Sequence, residues 1–220
     1  MRWTSFCVCA CMVTFTLSAP AIRITDADSG AVLFDNNGFE NDTVGIKPIK
    51  TITGAISGKE QDKIAGSEST GPGAFQGYQY AYTSRDQNGA GNVEAKITKS
   101  MTEKGRTVLI EWAWYLPANS NAKWGLKGNT QFYKSLWRAG NGSFQVYIDG
   151  RWEYRGYYTV DKWFECSLKY TIGDPTADLT VDGMKIRLEV DNYLTGAPGV
   201  QGIYFSHNVQ AGYYLDGISK

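Results

Sequence analysis

Nine side chains at alternating positions in four short stretches are of the types that grip sugar rings. Within Arg106–Leu116, Glu111 and Tyr115 alternate with Ile110, Trp112 and Trp114; within Thr130–Arg138, Gln131, Tyr133 and Trp137 alternate with Phe132 and Leu136. Phe144–Asp149 adds Gln145 and Tyr147, and Trp163–Tyr170 adds Trp163 and Glu165. Aromatic rings stack on the C–H faces of pyranoses, while amides and carboxylates bond their hydroxyls. If the four stretches belong to one sheet, Tyr115, Tyr133, Trp137, Tyr147 and Trp163 form a platform, with Gln131 and Gln145 giving orientation. Two readings compete with it: loops from the Gly45–Gly73 segment cover this face and turn its rings into a second core layer, or the tyrosines are ordinary residues of amphipathic strands.

Glu111 and Glu165 share that class of face. Two carboxylates roughly 5–10 Å apart are what glycoside hydrolysis requires, so a polysaccharide-degrading enzyme is the alternative to a binding module. A structural or adhesive surface domain is the third reading. Asp26-Ala27-Asp28-Ser29-Gly30 hints at a calcium loop, yet it lacks the third acid and the later spacing of an EF-hand.

The elements that must carry these residues are strands. Val108, Ile110, Trp112, Trp114 and Leu116 form one face of the first stretch, and the other three stretches alternate in the same way. Each presents an apolar face and a mixed aromatic and polar one, as antiparallel sheets do when a single side meets the core. Gly140-Asn141-Gly142, Asp149-Gly150, Gly173-Asp174-Pro175 and Asp182-Gly183 punctuate them with turn chemistry. Further strands are expected at Ala31–Asp35, Gln76–Ser84, Val93–Lys99, Asp178–Asp182, Lys185–Val190, Val200–Ser206 and Tyr213–Ser219. The Gly45–Gly73 segment reads as loops with one or two edge strands. The fold class is all-β: a single-domain, two-sheet β-sandwich of jelly-roll type.

Residues 1–21 read as a secretory signal peptide: Arg2, an uncharged apolar run from Trp3 to Leu17, then the small-residue site Ser18-Ala19-Pro20-Ala21. The run is shorter than the roughly 20 residues of a membrane-spanning helix. The domain is expected at 22–220, extracellular or periplasmic, with no membrane span. It retains one cysteine, Cys166, placed on an apolar face and expected to be an inert buried thiol. The 22 basic and 22 acidic residues balance, so no footprint for nucleic acid is present. His207 is the single histidine, which argues against a His-rich zinc site.

Four stretches resemble the concanavalin A-like and laminin G-like group of jelly-roll domains: Leu33-Phe34-Asp35 with Phe39-Glu40-Asn41-Asp42; Phe144–Gly150 followed by Trp152; Trp163–Leu168 before Asp178–Gly183; and Tyr213–Ile218. The resemblance implies a glycan or polysaccharide partner for some members and enzymatic activity for others. It also implies a structural Ca²⁺ held by Glu40 and Asp216 with Asp42 nearby, tying the first segment to the last strand in place of a disulfide. A β-glucanase-like signature is not met, since Glu189-Val190-Asp191 is followed by Leu194 where a third acid belongs. An alginate-lyase-like reading would use His207 with the tyrosines of Tyr204–Tyr214 to abstract a proton from a uronate, although the Arg-rich strand it calls for is not evident.

Overall fold

The computed structural model describes residues 22–58, 62–66, 71–83, 92–128, 137–190, 199–207 and 213–216, the side chain at 207 excepted. They form strands β1 (Ile22–Asp26), β2 (Val32–Asp35), β3 (Ala55–Ser57), β4 (Asp62–Gly66), β5 (Gln79–Thr83), β6 (Asn92–Met101), β7 (Thr107–Tyr115) and β8 (Asn121–Lys127), then β9 (Trp137–Gly140), β10 (Ser143–Ile148), β11 (Arg151–Tyr157), β12 (Trp163–Thr171), β13 (Thr176–Val181), β14 (Met184–Glu189), β15 (Val200–His207) and β16 (Tyr213–Asp216). The leader at 1–21, the expected platform residues Gln131 and Tyr133, and the end of the chain after Asp216 lie outside the described residues.

Three of the expected turns close two-residue hairpins. Asn141-Gly142, Asp149-Gly150 and Asp182-Gly183 all have positive φ at both positions. That is the geometry whose twist matches the flanking strands. They join β9 to β10, β10 to β11 and β13 to β14.

Every pairing is antiparallel. The first sheet runs β14-β13-β12-β7-β16-β5-β4, and the β1–β2 hairpin joins it on β7. One edge of β7 is therefore divided: β1 pairs with Val108–Trp112 and β16 with Ala113–Tyr115. The second sheet runs β11-β10-β9-β8-β15-β6-β3. The two short strands in the Gly45–Gly73 segment, β3 and β4, end opposite sheets as edge strands. The result is a concanavalin A-like jelly-roll sandwich.

The two sheets meet over an aromatic core. Trp112 and Trp114 are fully buried as their spacing predicts, with Trp124, Trp137, Phe144 and Phe205 around them. Ring centroids are 5.4 Å apart for Trp112–Trp124, 4.6 Å for Trp124–Trp137 and 5.4 Å for Trp114–Phe205. Such pairs contribute about 0.5–1.5 kcal/mol each beyond the area they bury. Cys166 is buried in the same core, and burial first, then Asp182 and Glu165, push its thiol well above the ordinary range. It is the inert thiol expected.

Candidate functional site

The expected platform does not form as one surface, because its residues belong to different sheets. Tyr115 and Trp163 are paired across β7 and β12 on the outer face of the first sheet. Gln145 and Tyr147 are on β10, on the outer face of the second sheet, at the opposite side of the sandwich. Trp137 is in the core. It stands opposite Trp124 and Val146, which both point inward, and its indole N–H donates to the Glu189 carbonyl at 2.9 Å. The alternation along the sequence is real, but parity within a strand cannot say which sheet it joins or where its register begins.

On the first sheet, Tyr115 and Trp163 join Tyr80, Tyr82, Tyr214 and Phe75 in a continuous ring cluster, with centroids 5.3–6.3 Å apart. Residues 71–79 lie across it as a strap. Phe75 packs on Trp163, whose indole N–H donates to the Gly73 carbonyl at 3.1 Å. Asp216 Oδ2 accepts the backbone N–H groups of Phe75 and Gln76, and Glu40 Oε1 accepts those of Tyr78 and Gln79. Gly77 has φ +68, and a Cβ there would fall 2.4 Å from Glu40 Oε1. The strap covers the Trp163 end of this cluster, whereas Tyr80, Tyr82 and Tyr214 still border a cavity of about 320 Å³; the cover was expected from Gly45–Gly73, and this one lies mostly after Gly73. Burial, then the Asp161 charge, raises the Tyr115 phenol; burial, then Tyr115 and Tyr82, raises Tyr214.

The strap also engages the residues expected at the calcium site. Glu40 and Asp216 do tie the first segment to the last strand, but through amide hydrogens of the strap. Asp42 Oδ1 is used likewise, by the N–H groups of Ile49 and Lys50. A carboxylate oxygen that receives two N–H donors faces positive hydrogens, an arrangement suited to an anion and not to a cation's shell. Among the described residues no group of three or more Asp, Glu, His or Cys side chains is placed to hold a metal. One oxygen of each of the three is thus taken by backbone N–H groups, and the structure leaves the expected Ca²⁺ without a three-carboxylate site among the described residues. In the Asp26–Gly30 run, Asp26 Oδ2 takes Ser29 Oγ and the Arg106 guanidinium, and Asp28 takes the Thr107 N–H. A cation of the chain stands where a metal would.

Glu111 and Glu165 do share the outer face of the first sheet. Glu111 stands opposite Ser167 and Glu165 opposite Ala113, so they are diagonal neighbours, roughly 7–8 Å apart. The tyrosines near His207 do not converge: Tyr213 is in the core with its hydroxyl donating to the Phe205 carbonyl at 2.7 Å, Tyr214 is in the ring cluster, and Tyr204 is on the other sheet.

The outer face of the second sheet carries an open ring surface that sequence parity concealed. Ser143, Gln145 and Tyr147 of β10 stand opposite Tyr157, Tyr154 and Trp152 of β11. These three rings, spaced by two and then by three residues, reach one face because a bulge inserts Arg155 between them. One extra residue in a strand re-aims everything beyond it. The bulge is held from behind. Arg155 makes a fork with Glu189 of β14, Nε to Oε2 at 2.8 Å and Nη2 to Oε1 at 2.8 Å, and also bonds Glu153. Gly156 packs on Ile186, where a Cβ would fall 2.4 Å from Cδ1. The Glu189 bonds foremost raise the Arg155 guanidinium, and Arg155 then Arg151 draw Glu153 below its ordinary value. Tyr154 and Tyr157 are 64% and 68% exposed and Tyr147 is 50% exposed. Tyr154 and Tyr157, with Arg138, Asn141, Ser143, Gln145 and Trp152, border a groove of about 520 Å³. Gln145 Nε2 donates to Ser143 Oγ at 3.0 Å, which fixes that amide at the groove floor.

No protein-family description and no curated protein sequence matches the chain. Solved structures share its fold. A sialidase superposes with a TM-score of 0.54 at 11% identity over 84% of this chain, which spans only 18% of that protein. The catalytic domain of the glycoside hydrolase family 131 protein from Coprinopsis cinerea superposes with a TM-score of 0.50 at 11% identity, covering 86% of this chain and 93% of that domain. The carbohydrate binding module CBM66 from Bacillus subtilis is more distant, with a TM-score of 0.40 at 10% identity over 71% of this chain and 92% of that module. At such identities the likeness extends to the fold alone.

Proposed function

We propose that this chain is a secreted carbohydrate-binding β-sandwich whose sugar-contacting surface is the groove on the outer face of the second sheet at β9–β11. The observation that carries the reading is the row of rings brought together by the Arg155 bulge. Tyr147, Trp152, Tyr154 and Tyr157 present stacking surface to solvent, interleaved with Ser143, Gln145, Asn141 and Arg138. Exposed rings of this number on one face are costly unless a partner covers them, and placed amides and hydroxyls among rings are how sugar hydroxyls are read. None of the described lining residues is a carboxylate, which favours binding over hydrolysis at this face. Secretion rests on the leader at 1–21.

Glycan-array screening followed by titration calorimetry tests the reading. Tyr154→Ala and Tyr157→Ala are each expected to weaken binding at least tenfold, about 1.4 kcal/mol, while Trp112→Phe, altered only in the core, leaves it unchanged. Binding that survives both tyrosine substitutions overturns the site. A second reading is hydrolysis on the outer face of the first sheet, favoured by the diagonal Glu111 and Glu165 and by the shared fold of the family 131 catalytic domain. It predicts new reducing ends from a glucan panel and their loss in Glu165→Gln.

A further inference from the structure

We infer that the glycan taken by this groove is acidic, and that Arg138 together with Lys123 receives its carboxylate or sulfate group. The inference rests on the groove being a sugar site and adds the class of sugar. Register places Lys123 of β8 directly opposite Arg138 of β9, and Arg138 directly opposite Gln145 of β10, which in turn faces Tyr154 of β11. Like charges directly opposite one another in an antiparallel pair are destabilising. The usual remedy is an interleaved acid, and elsewhere on this face it is applied: Glu94 sits between Lys96 and Lys127 and pairs with both. Among the described residues no carboxylate pairs with Lys123 or Arg138. On the aligned outer positions of β6, β15, β8, β9 and β10, four cations (Lys96, Lys123, Lys127 and Arg138) face the single acid Glu94.

The state of Arg138 itself points the same way. Its guanidinium carbon lies 5.7 Å from the centroid of Trp152, so its plane is held by a cation–π contact. Its Nε is buried and has no hydrogen-bond partner among the described residues. A buried guanidinium N–H without an acceptor costs about 1–3 kcal/mol, and the Arg138 side chain lines the groove. A planar fork suits the two oxygens of a carboxylate or sulfate, with the lysine beside it as a point charge. The pyranose carrying that group would then extend over Tyr154 and Tyr157. Because the whole chain has 22 cations and 22 acids, general attraction to polyanions does not account for such binding.

The test compares matched probes: polygalacturonate oligomers against their methyl esters, and dextran sulfate against dextran. Calorimetric affinity is measured for the intact protein, Arg138→Gln and Lys123→Gln, with thermal unfolding confirming that each variant is folded. The acidic member of a pair is expected to bind at least tenfold tighter, with the first pair reporting a carboxylate site and the second a sulfate site. Arg138→Gln should erase the preference and Lys123→Gln should reduce it several-fold, while a Tyr154→Ala variant loses affinity for both members. Equal binding of the acidic and neutral members overturns the inference and leaves the sugar site standing, as does a preference that survives both cation substitutions. Absence of binding to every glycan, neutral ones included, overturns the sugar site itself.

Discussion

Breaking the fork between Arg155 and Glu189 is expected to unseat the bulge on which the ring surface depends. The contacts are charge-assisted, at 2.8–3.0 Å, and two-pronged, from Nε and Nη2 to the two carboxylate oxygens. Hydrogen bonds to charged groups contribute about 1.5–3 kcal/mol when shielded. Here the Arg155 side chain is 21% exposed and that of Glu189 is 40% exposed, so screening reduces the pair to about 1–2 kcal/mol. For a domain near 200 residues, 1 kcal/mol moves the melting midpoint by roughly 2–4 °C. Arg155→Met and Glu189→Gln should therefore each lower it by about 2–8 °C. A double-mutant cycle read by urea unfolding should return a coupling of about 1–2 kcal/mol, because the second substitution finds its partner already gone. Glycan affinity should fall several-fold in both single variants, although neither residue borders the groove. Additivity to within about 0.3 kcal/mol, or full destabilisation with unchanged glycan affinity, would refute the claim that this pair positions Tyr154 and Tyr157.

Two further outcomes follow from buried and strapped groups. Since Asp216 and Glu40 hold backbone amides, the thermal midpoint should be indifferent to a calcium chelator, and Asp216→Ala should lower the unfolding free energy by about 1–3 kcal/mol; a chelator-induced drop would restore a metal to this corner. Burial raises Tyr158 to about 12 and Tyr213 well above its ordinary value of 10.0. A raised folded-state value makes the protonated phenol the stabilised form, so this stability is fully present below pH 10 and is lost as pH rises toward and through 12. Phenolate absorbance should then show a late fraction of the 14 tyrosines appearing together with alkaline unfolding; titration of all of them in one early step, with the fold intact, would contradict the packing.

Much of the architecture was legible because one-sided burial writes itself into strands at period two. β7, β10 and β12 stand where alternation puts them, and the Asn-Gly and Asp-Gly pairs turn where positive φ is demanded. Strand β8, Asn-Ala-Lys-Trp-Gly-Leu-Lys, escaped notice because Gly125 and its flanking polar residues dilute the signal of a central strand. Strand β11 escaped because its bulge breaks the period, and because an edge strand with little buried surface carries a weak apolar pattern.

The sequence by itself determined which residue types alternate, that the chain is all-β, and that Trp112, Trp114 and Cys166 are core. Only the tertiary structure decided to which sheet each ring belongs. It placed Trp137 inside by pairing it with Trp124, parted Tyr115 and Trp163 from Gln145 and Tyr147, and gathered Trp152, Tyr154 and Tyr157 through one inserted residue. It also answered Glu40 and Asp216 with amide hydrogens. The physical reason is common to all of these: a strand's own parity is local, whereas its register and its partners are set by pairings between segments far apart in the chain.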